Sequence, residues 1–102
     1  MREIVYIGNN NTIDLQFIAD GNVIDGSVIT RTVLVIGSTT VDSSIVSGVF
    51  DWTTGNGILK MSLGNQSLTA GEYEATFTLY DAGNPSGIRW EDEDGLVVEV
   101  VT

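Results

Sequence analysis

The segment 68–81 constrains the fold of this chain more than any other part of the sequence. A turn around Gly71 is followed by strict alternation of residue types from Glu72 to Leu79. One face of this segment is formed by Tyr73, Ala75, Phe77 and Leu79, and the other by Glu72, Glu74, Thr76 and Thr78. A period of two residues is typical of a β-strand with one face in the core and one in solvent. The segment therefore predicts a half-buried strand.

Further segments alternate in the same way, and turn residues separate them. The residues expected to point inward are Ile13, Leu15 and Phe17, then Thr32, Leu34 and Ile36, then Leu59, Met61 and Leu63, and finally Leu96, Val98 and Val100. Both faces of 29–36 are largely apolar, which indicates a central strand or one that is covered by a partner. Segment 82–87, with the single proline Pro85, is predicted to be a loop without regular structure.

The spacing of strands and turns predicts an all-β fold. No window combines helical spacing of apolar residues with capping signals. About seven or eight short strands, with turns roughly every 8–12 residues, predict an antiparallel β-sandwich. The 102 residues are enough for one hydrophobic core, so we expect a single domain over residues 1–102.

Composition and charge exclude several classes of function. The chain has no cysteine and no histidine, so disulfides, thiolate chemistry and the commonest general base are absent. Its formal net charge of −10 disfavours nucleic acid and anionic membranes as partners. The N-terminal residues lack the apolar region of a signal peptide, and we expect a protein that is not secreted. No serine has an activating partner pattern and no carboxylate pair stands out, so no enzyme is predicted.

The densest charge cluster is formed by Glu91, Asp92, Glu93 and Asp94. Carboxylates in a loop suit Ca²⁺, which would make these residues metal ligands. The same charges also suit a solvated loop that protects a neighbouring sheet edge. The spacing of an EF-hand is absent, which favours the solvated loop, and no cofactor is predicted.

Aromatic residues are the candidates for partner contacts. Phe50 and Trp52 share one face of a strand, which favours the core. Trp90 lies beside charged residues, and Tyr80 has the opposite parity from Phe77. Trp90 and Tyr80 are therefore either partner-facing anchors, where aromatic residues are enriched, or side chains packed beneath a loop.

Several segments resemble small immunoglobulin-like proteins of bacteriophage structural gene clusters. Leu68, Gly71 and Tyr73 resemble the tyrosine corner, in which a tyrosine hydroxyl bonds to backbone a few residues upstream. The similar segments are Gly-Glu-Tyr-Glu-Ala-Thr-Phe-Thr-Leu-Tyr-Asp, Gly-Ile-Arg-Trp and Gly-Leu-Val-Val-Glu-Val, together with Asn-Thr-Ile-Asp-Leu-Gln-Phe-Ile-Ala-Asp-Gly and Ile-Thr-Arg-Thr-Val-Leu-Val-Ile-Gly. The cysteine pair of antibody domains is missing. The resemblance implies an immunoglobulin-like β-sandwich and a structural role, with no catalytic residues.

The resemblance gives the first function hypothesis, a non-enzymatic virion or tail accessory protein. Its expected partners are other virion proteins or further copies of itself, in the virion or in the host cytoplasm during assembly. The outward residues Val33, Val35, Val97 and Val101 would supply the contact surface, or an exposed sheet edge would pair with a partner strand. The alternative is a module that binds carbohydrate or another ligand, with or without Ca²⁺, through exposed aromatics and the acidic loop.

Overall fold

The alternating segments form strands in two facing sheets. A computed structural model describes residues 1–53, 56–91 and 95–102 of the chain. The strands are β1 (Arg2–Tyr6), β2 (Thr12–Gln16), β3 (Ile18–Ala19), β4 (Asn22–Val23), β5 (Arg31–Ile36), β6 (Thr39–Asp42), β7 (Phe50–Thr53), β8 (Ile58–Ser62), β9 (Gly71–Asp81), β10 (Asn84–Trp90) and β11 (Leu96–Val101). Within these described ranges, the helical structure is one 3₁₀ turn, Gly26–Val28.

The long strand β9 organises the larger sheet. Five of its six strands follow the order β1-β11-β9-β5-β6, and the sixth, β10, also pairs with β9. A second sheet has the order β2-β8-β7, and β3 and β4 form a small separate hairpin. The turn of that hairpin is Asp20-Gly21, where both residues have positive φ, as the tightest hairpin turns require.

Three features of the sheets differ from the prediction. The strand β1 runs parallel to β11, so the larger sheet is mixed rather than antiparallel. The described residues form eleven strands rather than seven or eight, because β3 and β4 are only two residues long and β10 was not expected at this length. The predicted loop 82–87 is wrong from Asn84 onward, since β10 passes through Pro85 with a shift of register between Asn84 and Ile88. A bulged edge strand tolerates a proline, which cannot donate to the ladder.

The core lies between the two sheets and contains the residues that alternation placed inward. Its buried side chains are Val5, Ile13, Leu15, Phe17, Leu34, Ile36, Val41, Val49, Leu59, Met61, Leu63, Leu68, Ala75, Phe77, Leu79, Leu96, Val98 and Val100. Phe17 is fully buried, and its ring contacts the rings of Trp52, Phe77 and Trp90. The centroid distances are 5.2, 5.1 and 4.3 Å. One side chain thus joins β7, β9 and β10.

The strands β10 and β11 behave as one strand that is interrupted once. Trp90 pairs with Phe77, and Leu96 pairs with Ala75. Thr76 of β9 therefore lies between the part of the strand that pairs with β10 and the part that pairs with β11. The carbonyls of Glu74 and Tyr80 accept bonds from the β5 side, from Gly37 and Thr30. Thr76 has the same parity, so its backbone groups also point towards β5. The interruption at 91–95 therefore falls where β9 needs no partner on the β10–β11 side.

The turn before β9 is fixed by Tyr73. Its hydroxyl donates to the carbonyl of Thr69 at 2.9 Å and lies 2.8 Å from the Thr69 hydroxyl. Leu68 is buried beneath the turn. Gly71 has a φ of 153°, and a Cβ there would lie 3.0 Å from the Tyr73 hydroxyl, so glycine leaves room for the ring. The structure thus places Leu68, Gly71 and Tyr73 in one corner.

Replacing Tyr73 with phenylalanine is expected to lower the free energy of unfolding by about 1–2 kcal/mol, because the Thr69 groups lose their partner. Urea denaturation followed by tryptophan fluorescence measures this change. The exposed Tyr6→Phe variant is the matched control and should stay within about 0.5 kcal/mol of the parent. Equal stability of the two variants would show that the hydroxyl does not hold the corner.

Candidate interaction surface

The outer face of the six-stranded sheet brings together the outward valines. Val33 and Val35 pair with Thr78 and Thr76, and Val97 pairs with Glu74, all of one parity on β9. Val101 lies four residues beyond Val97 on β11, on the same face of the sheet, and pairs with Tyr6. We call this surface the outer face. Its apolar and hydroxyl side chains are Ile4, Tyr6, Val33, Val35, Thr76, Thr78, Val97 and Val101, and the carboxylates of Glu72, Glu74 and Glu99 lie on the same face.

The exposed apolar residues of β1 extend this surface beyond what the sequence predicted. Ile4 and Tyr6 are each 42% exposed, and Val35 is 37% exposed. The sequence does not predict this extension, because alternation within a segment cannot show that β1 joins β11. The alternation of Ile4, Val5 and Tyr6 is the sequence signal that could have revealed this face. Val5 is buried, so its two neighbours point to the opposite, exposed side.

The arginines that project from the outer face are each paired with a carboxylate in place. Arg2 lies 2.9 Å from carboxylates of both Glu72 and Glu99. Arg89 lies 2.8 Å from Glu91. With Arg31, which pairs with Asp42, three of the four basic residues of the chain project from this face. Most of the net charge of −10 is therefore carried by other surfaces.

The outer face of the three-stranded sheet has a different character. Lys60 stands directly opposite Asp14 on one side and Asp51 on the other. Thr12 and Gln16 are exposed on the same face. This surface is polar and acidic, which is typical of a solvated face. The contrast singles out the six-stranded sheet as the candidate contact surface.

An ion pair at the end of the outer face was not predicted. Arg31 Nε donates to Asp42 Oδ1 at 3.0 Å, and the guanidinium lies 4.8 Å from the centroid of the Tyr80 ring. Ser44 donates to the same carboxylate through its backbone at 2.9 Å and its hydroxyl at 2.8 Å. The Arg31 guanidinium, together with Ser44, holds the pKa of Asp42 well below its usual range.

The Asp42→Asn variant is expected to be about 1 kcal/mol less stable than the parent at pH 7, because it loses the ion pair with Arg31. The loss is modest because Arg31 is partly exposed and solvent screens the pair. Because the pKa of Asp42 is lower in the folded state, its ionised carboxylate stabilises the fold at pH values above the pKa of the unfolded state, which is about 4. That stability is lost as the pH falls from about 4 towards 2. Urea unfolding at pH 7, 4 and 2.5 should therefore show the gap between the two proteins narrowing. A gap between the two proteins that does not change with pH would contradict the assignment.

The two aromatic candidates project from opposite faces of the sheet. Tyr80 is half-buried on the outer face beneath Arg31. Trp90 pairs with Phe77, whose side chain is in the core, so Trp90 points to the inner side. Its ring centroid lies 4.3 Å from that of Phe17. One flat partner surface therefore cannot use both residues as anchors.

The acidic cluster falls mostly outside the described residues. Asp92, Glu93 and Asp94 are among those not described, while Glu91 is exposed and pairs with Arg89. In the ranges 1–53, 56–91 and 95–102, no three acidic side chains come together in a group that could hold a metal ion. The prediction about Ca²⁺ at this loop therefore stays a prediction.

No family model matches the sequence, and no curated protein matches it. Across the described ranges, no helix has the length and hydropathy that a membrane span requires.

Proposed function

We propose that this chain is a non-enzymatic structural or assembly protein of a bacteriophage particle and that it acts through protein–protein contacts. The observation that carries the proposal is the outer face of the six-stranded sheet. It combines exposed and half-buried valines with paired arginines, in a chain whose remaining surface is strongly acidic. Interfaces of this kind have an apolar centre that is depleted in unpaired charge and a polar rim.

The immunoglobulin-like form of the sandwich is part of the same proposal. In variable-type immunoglobulin domains one sheet contains strands G, F, C and C′, and the other contains B, E and D. The orders β11-β9-β5-β6 and β2-β8-β7 correspond to these two series in chain order. The Tyr73 hydroxyl bond at the start of β9 stands where the tyrosine corner of strand F would be. These features support the resemblance that the sequence suggested.

The first experiment is quantitative mass spectrometry of purified phage particles from the source system, counting copies of this chain per particle. Hundreds of copies would indicate capsid decoration, and six or twelve would indicate the neck, tail or baseplate. Absence from particles, while the chain is expressed, would overturn the proposal.

The second experiment tests the surface itself. The double variant Val35→Glu/Val97→Glu adds two charges to the outer face and should abolish association with particles while the fold is retained. The matched control, Thr12→Glu/Gln16→Glu, adds the same charge to the exposed face of β2 and should leave association unchanged. Circular dichroism verifies folding of both. Association of the Val35→Glu/Val97→Glu protein at the parental level would remove the outer face as the contact.

A further inference from the structure

The inner side of β10 is covered differently from the rest of its sheet. Ile88 pairs with Leu79 and Trp90 with Phe77, so both side chains point to the core side. Above them lies the segment from Ala19 to Ile29, with the β3–β4 hairpin and the 3₁₀ turn. A cleft of about 140 Å³ remains between these elements, lined by Ala19, Ile24, Asp25, Val28, Ile29, Leu79, Asp81, Ile88 and Trp90. We call it the apolar cleft.

Both walls of the apolar cleft expose large apolar side chains. Val28 is 52% exposed on one wall, and Ile88 is 51% exposed on the other. Trp90 forms the inner part of the cleft, where Phe17 supports its ring. A concave apolar site with a few polar groups is the usual form of a binding site.

Two carboxylates complete the lining. Asp25 Oδ1 accepts bonds from the backbone of Ser27 at 2.9 Å and from its hydroxyl at 2.7 Å. Asp81 Oδ1 accepts a bond from the side-chain amide of Asn84 at 2.9 Å. Each carboxylate is thus held in place through one oxygen. Among the ion pairs in the described part of the chain, none involves Asp25 or Asp81.

We propose that the apolar cleft binds a lysine or arginine side chain of a partner protein. Its methylene stem would pack against Ile88 and Trp90, and its charged end would reach Asp25 and Asp81. The cleft holds about one side chain, since a cavity of about 150 Å³ accommodates a molecule such as benzene, whereas sites for small-molecule ligands are usually about 300–1,000 Å³. Basic side chains bury their stems on apolar surface and place their charge near carboxylates or over tryptophan rings.

The charge of the whole chain favours the same occupant. A net charge of −10 attracts a cationic segment before contact is made. The sheet residues that line the apolar cleft lie on the inner side of the sheet, opposite to the outer face, so this contact is independent of the proposed function. A structural assembly protein that used both surfaces would bridge two partners.

The test uses the full chain and short peptides observed by NMR. The peptide acetyl-Gly-Arg-Gly-amide should shift the indole signal of Trp90 and the methyl signals of Ile88 and Val28. The double variant Asp25→Asn/Asp81→Asn should weaken its binding at least fivefold, as should raising the salt concentration to 0.5 M. The matched control Asp14→Asn/Asp51→Asn removes the same charge from the other sheet and should leave binding within twofold of the parent.

Three results would overturn the proposal. Equal binding of acetyl-Gly-norleucine-Gly-amide would show that the cleft selects apolar groups without regard to charge. Equal binding of n-butylguanidinium, which lacks peptide groups, would assign the cleft to a free small cation rather than a protein side chain. A lack of shifts at Trp90, Ile88 and Val28 with the arginine peptide would show that the cleft is not a binding site.

Discussion

The Phe17→Ala variant is expected to lose about 3–5 kcal/mol of stability, the cost of truncating a fully buried phenylalanine. Phe17 is the side chain on which Trp52, Phe77 and Trp90 converge. Its edge-to-face pairs with Trp52 and Phe77 add to the loss. The backbone of Phe17 also donates to Gly57 and accepts from Ile24. Relaxation to fill the space is therefore restricted, and the cavity should persist.

Thermal unfolding followed by circular dichroism measures this loss. The melting temperature should fall by roughly 12–40 °C, given a shift of about 4–8 °C per kcal/mol in a domain of this size. The Ile45→Ala variant is the control, because Ile45 is 81% exposed and its truncation should change the melting temperature little. If Phe17→Ala melted within about 5 °C of the parent, the aromatic contacts would not be the centre of the core.

The Gly64→Ala variant is expected to lose about 3 kcal/mol through overpacking and a lost hydrogen bond. A Cβ at Gly64 would clash with the carbonyl oxygen of Asn9 and would lie 2.7 Å from that of Tyr6. These are backbone atoms, and they cannot rotate away as a side chain would. The Gly64 carbonyl also accepts a hydrogen bond from the backbone N–H of Gly8 at 2.8 Å. This bond would break as the added Cβ pushes the two segments apart.

The matched control for this steric effect is Gly83→Ala. A Cβ at Gly83 would meet only the Asp81 carboxylate, at the ordinary distance of 3.6 Å. Its effect should be within about 0.5 kcal/mol, since a compatible glycine replacement loses no contact. Urea midpoints of the two variants give the comparison directly. Similar midpoints for Gly64→Ala and Gly83→Ala would contradict the close approach of Gly64 to the Tyr6–Asn9 turn.

The alternation of apolar residues predicted the strands well because burial on one face is a local property of each strand. Ile13, Leu15, Leu59 and Met61 are all buried as expected. The Asx-type bonds of Asp25 and Asp42 were also predictable, since they involve residues two positions away. Local chemistry thus determined which residues enter the core and where several turns form.

The pairing of distant strands could not be read from such patterns. Nothing local in Arg2–Tyr6 distinguishes a parallel neighbour of β11 from an antiparallel one. The ion pair of Arg31 and Asp42 depends on the same kind of information, because it forms only when β5 and β6 lie side by side. The placement of Trp90 against Phe17 likewise follows from the register of β10 on β9.

The interruption between β10 and β11 makes this position suitable for exchange of sequence. An uninterrupted strand would place the second residue after Trp90 opposite Ala75, where Leu96 now stands. The connection therefore contains four residues more than an uninterrupted strand would need. Because four is an even number, a chain that joined Glu91 directly to Leu96 would keep the Leu96 side chain facing the core. Natural variants or engineered grafts could therefore shorten, lengthen or replace the connection without altering the hydrophobic face of either strand. The registers of β10 and β11 on β9 thus leave the length of their connection open to change by even numbers of residues.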